Sequence, residues 1–81
     1  AELAAIASSH GLANDALQDF VDAILDRMIF DGDQLTDLME RLDLGWRERR
    51  EKELALMDNL VPILKKRAAG RTISGLNAYE Q

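Results

Sequence analysis

Cysteine is absent from this 81-residue chain, and histidine, proline, tryptophan and tyrosine occur once each. Without a thiol there is no disulfide staple and no thiolate metal site, which suits a reducing, cytoplasmic setting. The sequence also has no glycine-rich phosphate loop, H-E-x-x-H, G-x-S-x-G or Cys/His cluster. No nucleophile and base can be paired, so the expectation for this segment is no catalytic residue, no bound metal and no cofactor. No apolar run approaches the roughly 20 residues of a membrane span, and no signal-peptide pattern is present, so no membrane partner is expected. Aromatic residues are only 5% of the chain against 47% hydrophobic, which leaves Leu, Ile, Val, Ala and Met to build the core. A chain this short forms a single domain that buries about 60% of its unfolded surface. It opens on Ala1 inside an alanine-rich helical pattern, which reads as a C-terminal fragment of a larger protein.

What the chain has in quantity is charge and helical periodicity. The net charge is −5. Residues 1–44 hold ten acids and two bases, giving −8, and residues 45–81 hold five acids and eight bases, giving +3. The simplest reading is complementarity between an acidic front and a basic back within one small bundle. An acidic chain is a poor phosphate neutraliser, so direct nucleic-acid binding is disfavoured.

The stretch with the longest unbroken period runs from Trp46 to Ala69. Trp46, Arg50, Leu54, Met57, Leu60, Val61, Leu64 and Ala68 recur at helical spacings and predict one apolar side. Leu56 and Ile63 form a second, narrower strip, which predicts a surplus surface for a partner. Trp46 is expected to close the end of the core, and Pro62 to kink a helix that otherwise continues through it. Lys65, Lys66 and Arg67 suit the negative end of the helix dipole, and Gly70 is placed to stop it.

Ahead of it, Glu2 to Ser9 predicts a short helix ended by His10-Gly11, with His10 read as a favourable partner for the dipole end or a solvated side chain rather than a catalytic or metal-binding one. Asn14 is placed to cap a helix from Asp15 to Ile29, whose wet edge carries Asp15, Asp19, Asp22 and Asp26. These carboxylates diverge along a helix and read as a solvated or base-facing stripe, not a cation site. Asp31-Gly32-Asp33 is a turn with Asp33 placed as the next cap; the EF-hand pattern fails, because Thr36 and Leu42 stand where it needs Gly and Glu. A third helix is predicted over Gln34 to Leu42. In the tail, Ile73, Leu76 and Tyr79 are spaced to dock one last turn capped by Ser74. The fold class is therefore all-α: a small bundle of about four helices with one long, Pro-kinked member and a short C-terminal turn.

Three stretches, RMIFDGDQLTDLME, LGWRERREKELALMDNLVPILKK and GRTISGLNAYE, resemble in their order the carboxy-terminal end of the restriction (R) subunit of type I restriction-modification enzymes. The resemblance spans Arg27 to Glu80. It implies a longer parent in which a nuclease domain and two RecA-like motor domains, using ATP and Mg to translocate DNA, precede a helical domain. That last domain would attach the motor subunit to a methyltransferase core of modification and specificity subunits. No nuclease or motor motif lies here, so no catalytic residue carries over. The docking residues this implies are Trp46, Arg47, Arg50, Leu56 and Ile63, with Ile73, Leu76 and Tyr79 from the tail. Two other readings remain open: a self-contained helical adaptor that dimerises through the long helix, and a DNA-contacting module using Arg47, Arg49, Arg50 and Lys52.

Overall fold

In the computed structural model, residues 2–76 are described. They form four helices: α1 Glu2–Ser9, α2 Asn14–Arg27, α3 Gly32–Met39 and α4 Trp46–Ala68. The all-α class expected from periodicity is the one observed; among the described residues the only extended pairing is an isolated parallel bridge between Ile29 and Ser74. Helix α2 packs against each of the other three, and α3 also touches α4. The radius of gyration is 11.9 Å, beside about 11.7 Å expected for a compact chain of this length.

The core is aliphatic, as the shortage of aromatics requires. Helix α2 contributes Leu17, Phe20, Val21 and Ile24; α3 contributes Leu35, Leu38 and Met39; α4 contributes Leu56, Met57, Leu60, Ile63, Leu64 and Ala68. Each large member is worth roughly 1.5–3 kcal/mol of transfer free energy. Among the described residues the one aromatic pair is Phe20 with Phe30, edge to face with centroids 6.4 Å apart.

Local chemistry explains the helix ends. Helix α1 stops as expected at Gly11, whose φ of 72° is left-handed. Gly11 N–H donates to the Ser8 carbonyl and Leu12 N–H to the Ala7 carbonyl, the paired bonds of a Schellman stop. Leu12 then does what Asn14 was expected to do. The N-cap of α2 is Ala13, without a side-chain cap bond, and Asn14 is the first helical residue. Leu12 and Leu17, one residue before the cap and four after it, are both buried in the same core, so an apolar staple fixes the entry instead of an Asn side chain.

Helix α3 is capped by Asp31 rather than Asp33. The Asp31 carboxylate accepts from the Asp33 N–H at 3.0 Å, and Gln34 Oε1 accepts from the Asp31 N–H at 3.2 Å. Gln34 supplies the reciprocal partner of a capping box, which makes Asp31 the better cap. The helix ends at Met39, short of Leu42, because the next bonds tighten to three-residue spacing: Arg41 to Leu38 and Leu42 to Met39. Helix α4 passes through Pro62 as a single helix, with the proline exposed on its wet side. The carbonyl of Asp58, which loses its donor to Pro62, lies on an exposed residue that water can serve. Its C-terminus turns through two left-handed residues, Ala69 and Gly70, at φ 55° and 87°.

The tail docks, with Ile73 and Leu76 buried as anticipated; Leu76 opens a 3₁₀ turn, and the residues that a Ser74 cap would serve lie outside the described ones. The Ser74 backbone also makes bonds of its own. Phe30 N–H donates to the Ser74 carbonyl at 2.7 Å and Ser74 N–H to the Met28 carbonyl at 2.9 Å. Met28 presents its carbonyl because it leaves α2 in a left-handed conformation, φ 56°. Gly75 follows at φ 83°, and a Cβ built there would overlap the Phe30 carbonyl oxygen. Tyr79 lies outside the described residues.

Two glycines separate backbone strain from crowding. Gly11→Ala meets open space and only a strained φ, whereas Gly75→Ala meets both the strain and the Phe30 carbonyl. Thermal unfolding followed by circular dichroism is expected to show about 1 kcal/mol lost for Gly11→Ala and about 2–3 kcal/mol for Gly75→Ala. Equal losses would remove the tail bridge as a fixed part of the fold. Asp31→Ala is expected to cost about 1 kcal/mol through loss of the cap on α3.

Candidate docking surface

Seven consecutive charged residues, Arg47 to Glu53, open α4, and no residue of that helix is buried before Leu56. The first turns of α4 are covered only in part, with Arg49, Lys52 and Glu53 half-buried and the side that carries Trp46 left open. Trp46 is 72% exposed and Leu54 47% exposed, and Arg50 between them is exposed too. At four-residue spacing these three make one ridge on the helix surface. Trp46 and Leu64 stand 18 residues apart, about five full turns, so they point the same way from the axis. Leu64 is completely buried while Trp46 faces solvent. The core-facing side of α4 continues past the end of the core.

This corrects two expectations. Trp46 does not close the end of the core, because α3 stops at Met39 and the chain returns to α4 through residues 40–45 without placing a helix opposite it. The surplus apolar surface exists, but it is not Leu56 and Ile63. Those residues are 0% and 8% exposed and merge with Met57, Leu60 and Leu64 into one broad core face. Of the residues expected to dock a partner, Trp46, Arg47 and Arg50 are brought together on the surface. Leu56, Ile63, Ile73 and Leu76 hold the bundle itself. Leu54 was placed on the buried line, yet belongs to the exposed ridge. The signal for it was in the sequence: an arginine on the apolar line, inside a run of seven charges, leaves no side dry enough to bury.

The ridge carries one contact of its own, at its start. The Arg47 guanidinium lies over the Trp46 ring, 5.1 Å from its centroid, a cation–π arrangement that holds both side chains against the helix start. The aspartates of the α2 stripe, Asp15, Asp19, Asp22 and Asp26, are all exposed. Among the described residues no group of three or more His, Asp or Glu side chains is placed to hold a metal ion. No helix there is long and apolar enough to cross a membrane.

Of the two roles expected for His10, that of a cation at the dipole end is the less favoured. Partial burial, and secondarily the Lys52 ammonium on α4, push its imidazole below the usual value of 6.5, so the neutral ring is favoured over a cation serving the α1 dipole. The geometry agrees. Asn59 Nδ2 sits 3.4 Å from His10 Nε2, and since an amide nitrogen can only donate, the ring nitrogen accepts with its lone pair.

Residues 1–67 match the family described as Type I restriction and modification enzyme, subunit R C terminal. The match takes in α1, α2, α3 and α4 as far as Arg67, and leaves the tail outside it. No curated protein and no solved structure matches the chain.

The burial pattern and the His10 shift each generate a measurement. Trp46→Ala is expected to change stability by no more than about 0.5 kcal/mol, and Leu56→Ala to cost about 2–5 kcal/mol, in denaturant unfolding. Comparable losses would mean that Trp46 is packed after all. For His10, the unfolded chain binds the proton more tightly than the folded one, so stability is complete above the unfolded value of about 6.5 and falls as pH drops through the lowered folded value. His10→Gln is expected to flatten that part of the stability profile, and an unchanged slope would show that His10 is not its source.

Proposed function

The chain belongs to the family of C-terminal domains of subunit R of type I restriction and modification enzymes, and from that membership we propose that it is an assembly domain. Its role is to dock the motor subunit onto the methyltransferase core formed by modification and specificity subunits. Nuclease action, ATP hydrolysis with magnesium and DNA translocation belong to other parts of the parent chain, whose motifs this sequence lacks.

The observation that carries the reading is the exposed ridge of Trp46, Arg50 and Leu54. Docking surfaces concentrate their binding free energy in a few Trp, Tyr and Arg anchors. Here one tryptophan and two arginines stand at the partly covered end of the longest helix, with Arg47 stacked on the Trp46 ring. An anchor fixed before binding loses less side-chain freedom on association. The adaptor reading keeps one point in its favour, since the same ridge could pair with a second copy.

Titrating the chain with the methyltransferase core of the same system tests the proposal, with Trp46 emission as the reporter. Micromolar or tighter binding with a blue shift is expected, with no ATPase or nuclease activity from the chain alone. Absence of binding at tens of micromolar would remove the docking role. Sedimentation showing a stable dimer that Trp46→Ala dissociates would transfer the ridge to self-association.

A further inference from the structure

We propose that the ridge is received by an acidic protein surface: an apolar recess for Trp46 and Leu54, rimmed by carboxylates that pair with Arg47 and Arg50. The inference rests on the docking role above and specifies the chemistry of the surface it meets.

The placement of charge around the first turns of α4 carries it. Trp46, Arg50 and Leu54 succeed one another along the ridge, and Arg47 is drawn onto it by its position over the indole. The exposed acid Glu48 lies two residues before Arg50, about 160° around the helix, on the opposite side. Glu53 is half-buried, and Glu51 is left as the flanking exposed acid. Arg47 to Glu53 holds four bases and three acids, a sum of +1, so the ridge is a weakly positive apolar strip on a chain of net charge −5, whose first 44 residues alone hold ten acids and two bases. A partner that attracted the molecule as a whole would have to be basic, and the ridge would then meet like charge. A partner that fits the ridge is locally acidic and apolar.

Other occupants fit less well. A second copy would offer the α2 stripe of Asp15, Asp19, Asp22 and Asp26, beside which the one exposed large hydrophobic among the described residues is Ile29, three residues past Asp26, and a single exposed side chain is not a recess for an indole. Duplex DNA would leave Trp46 and Leu54 against water and phosphate while meeting an acidic molecule. Carboxylates set around an apolar recess satisfy both halves of the strip. Charge-assisted bonds from Arg47 and Arg50 then set the orientation, and indole burial sets the residence time.

The test measures binding of the chain to the methyltransferase core across a salt series, for the wild type, the double variant Arg47→Glu with Arg50→Glu, and Glu48→Lys on the opposite side. These residues precede the first buried position of α4, and circular dichroism of each variant checks that the fold is kept. The expected result is binding that weakens with salt, falls at least about tenfold in the double variant and changes less than about twofold for Glu48→Lys. Wild-type binding that is indifferent to salt and to the double reversal would overturn the acidic surface while leaving the docking role in place. No wild-type binding at all would overturn both. A short DNA duplex that competes with the core for the chain, or dimerisation abolished by the double variant, would also overturn the inference.

Discussion

A helix of 23 residues packed against helices of 14 and 8 is longer than either neighbour, and its first ten residues contribute nothing to the core. At 1.5 Å per residue α4 is roughly 34 Å long, close to the 35 Å long dimension of the whole molecule, whereas α2 is roughly 21 Å. The difference of roughly 13 Å corresponds to about nine residues. The stretch without a buried residue, Trp46 to Ala55, is ten residues long, and the run of seven charges falls inside it. Length mismatch therefore fixes where the core ends, and the docking ridge is what lies beyond. The fold did not have to carve a pocket to create this surface; it needed only to leave one side of a helix open.

What is covered is held by small local devices and one long-range tie. A Schellman stop at Gly11, an apolar staple from Leu12 to Leu17 and a capping box at Asp31 set three helix ends within short stretches of sequence. The tie is the backbone bridge from Ser74 to Met28 and Phe30, which seats Ile73 and Leu76 in the core. It relies on two left-handed residues, Met28 and Gly75, and only at Gly75 does the neighbouring backbone leave no room for a side chain. A short core with few aromatic residues gains from closing its end in this way, because each buried aliphatic side chain counts for more when there are few of them.

Much of this was legible in the residues. The four helices follow from three-and-four spacing, and Gly11 and Gly70 mark helix ends as glycines at those offsets should. Which residue caps was less legible. Asn14 and Asp33 have the right chemistry, but competing partners, Leu12 with Leu17 and Asp31 with Gln34, took the role. The tail bridge could not be read from composition, since it depends on where Phe30 and Ser74 meet in space. The face of α4 was read correctly in direction and wrongly in extent: periodicity reports which way a residue points and says nothing about whether anything stands opposite. Charge density supplied the missing information, and Arg47 to Glu53 should have moved Leu54 and Trp46 out of the core.

The partly covered start of α4 has a mechanical meaning. A helix clamped over Leu56 to Ala68 and only partly covered over Trp46 to Ala55, where Arg49, Lys52 and Glu53 are half-buried, is a lever about 15 Å long, with its fulcrum at the first buried turn. A pull applied at the ridge becomes torque about Leu56 and Met57, which are completely enclosed by the core. Force received at one end of the molecule is thus handed to the hydrophobic packing that also holds α2 and α3, and a grip on Trp46 is a grip on the whole bundle.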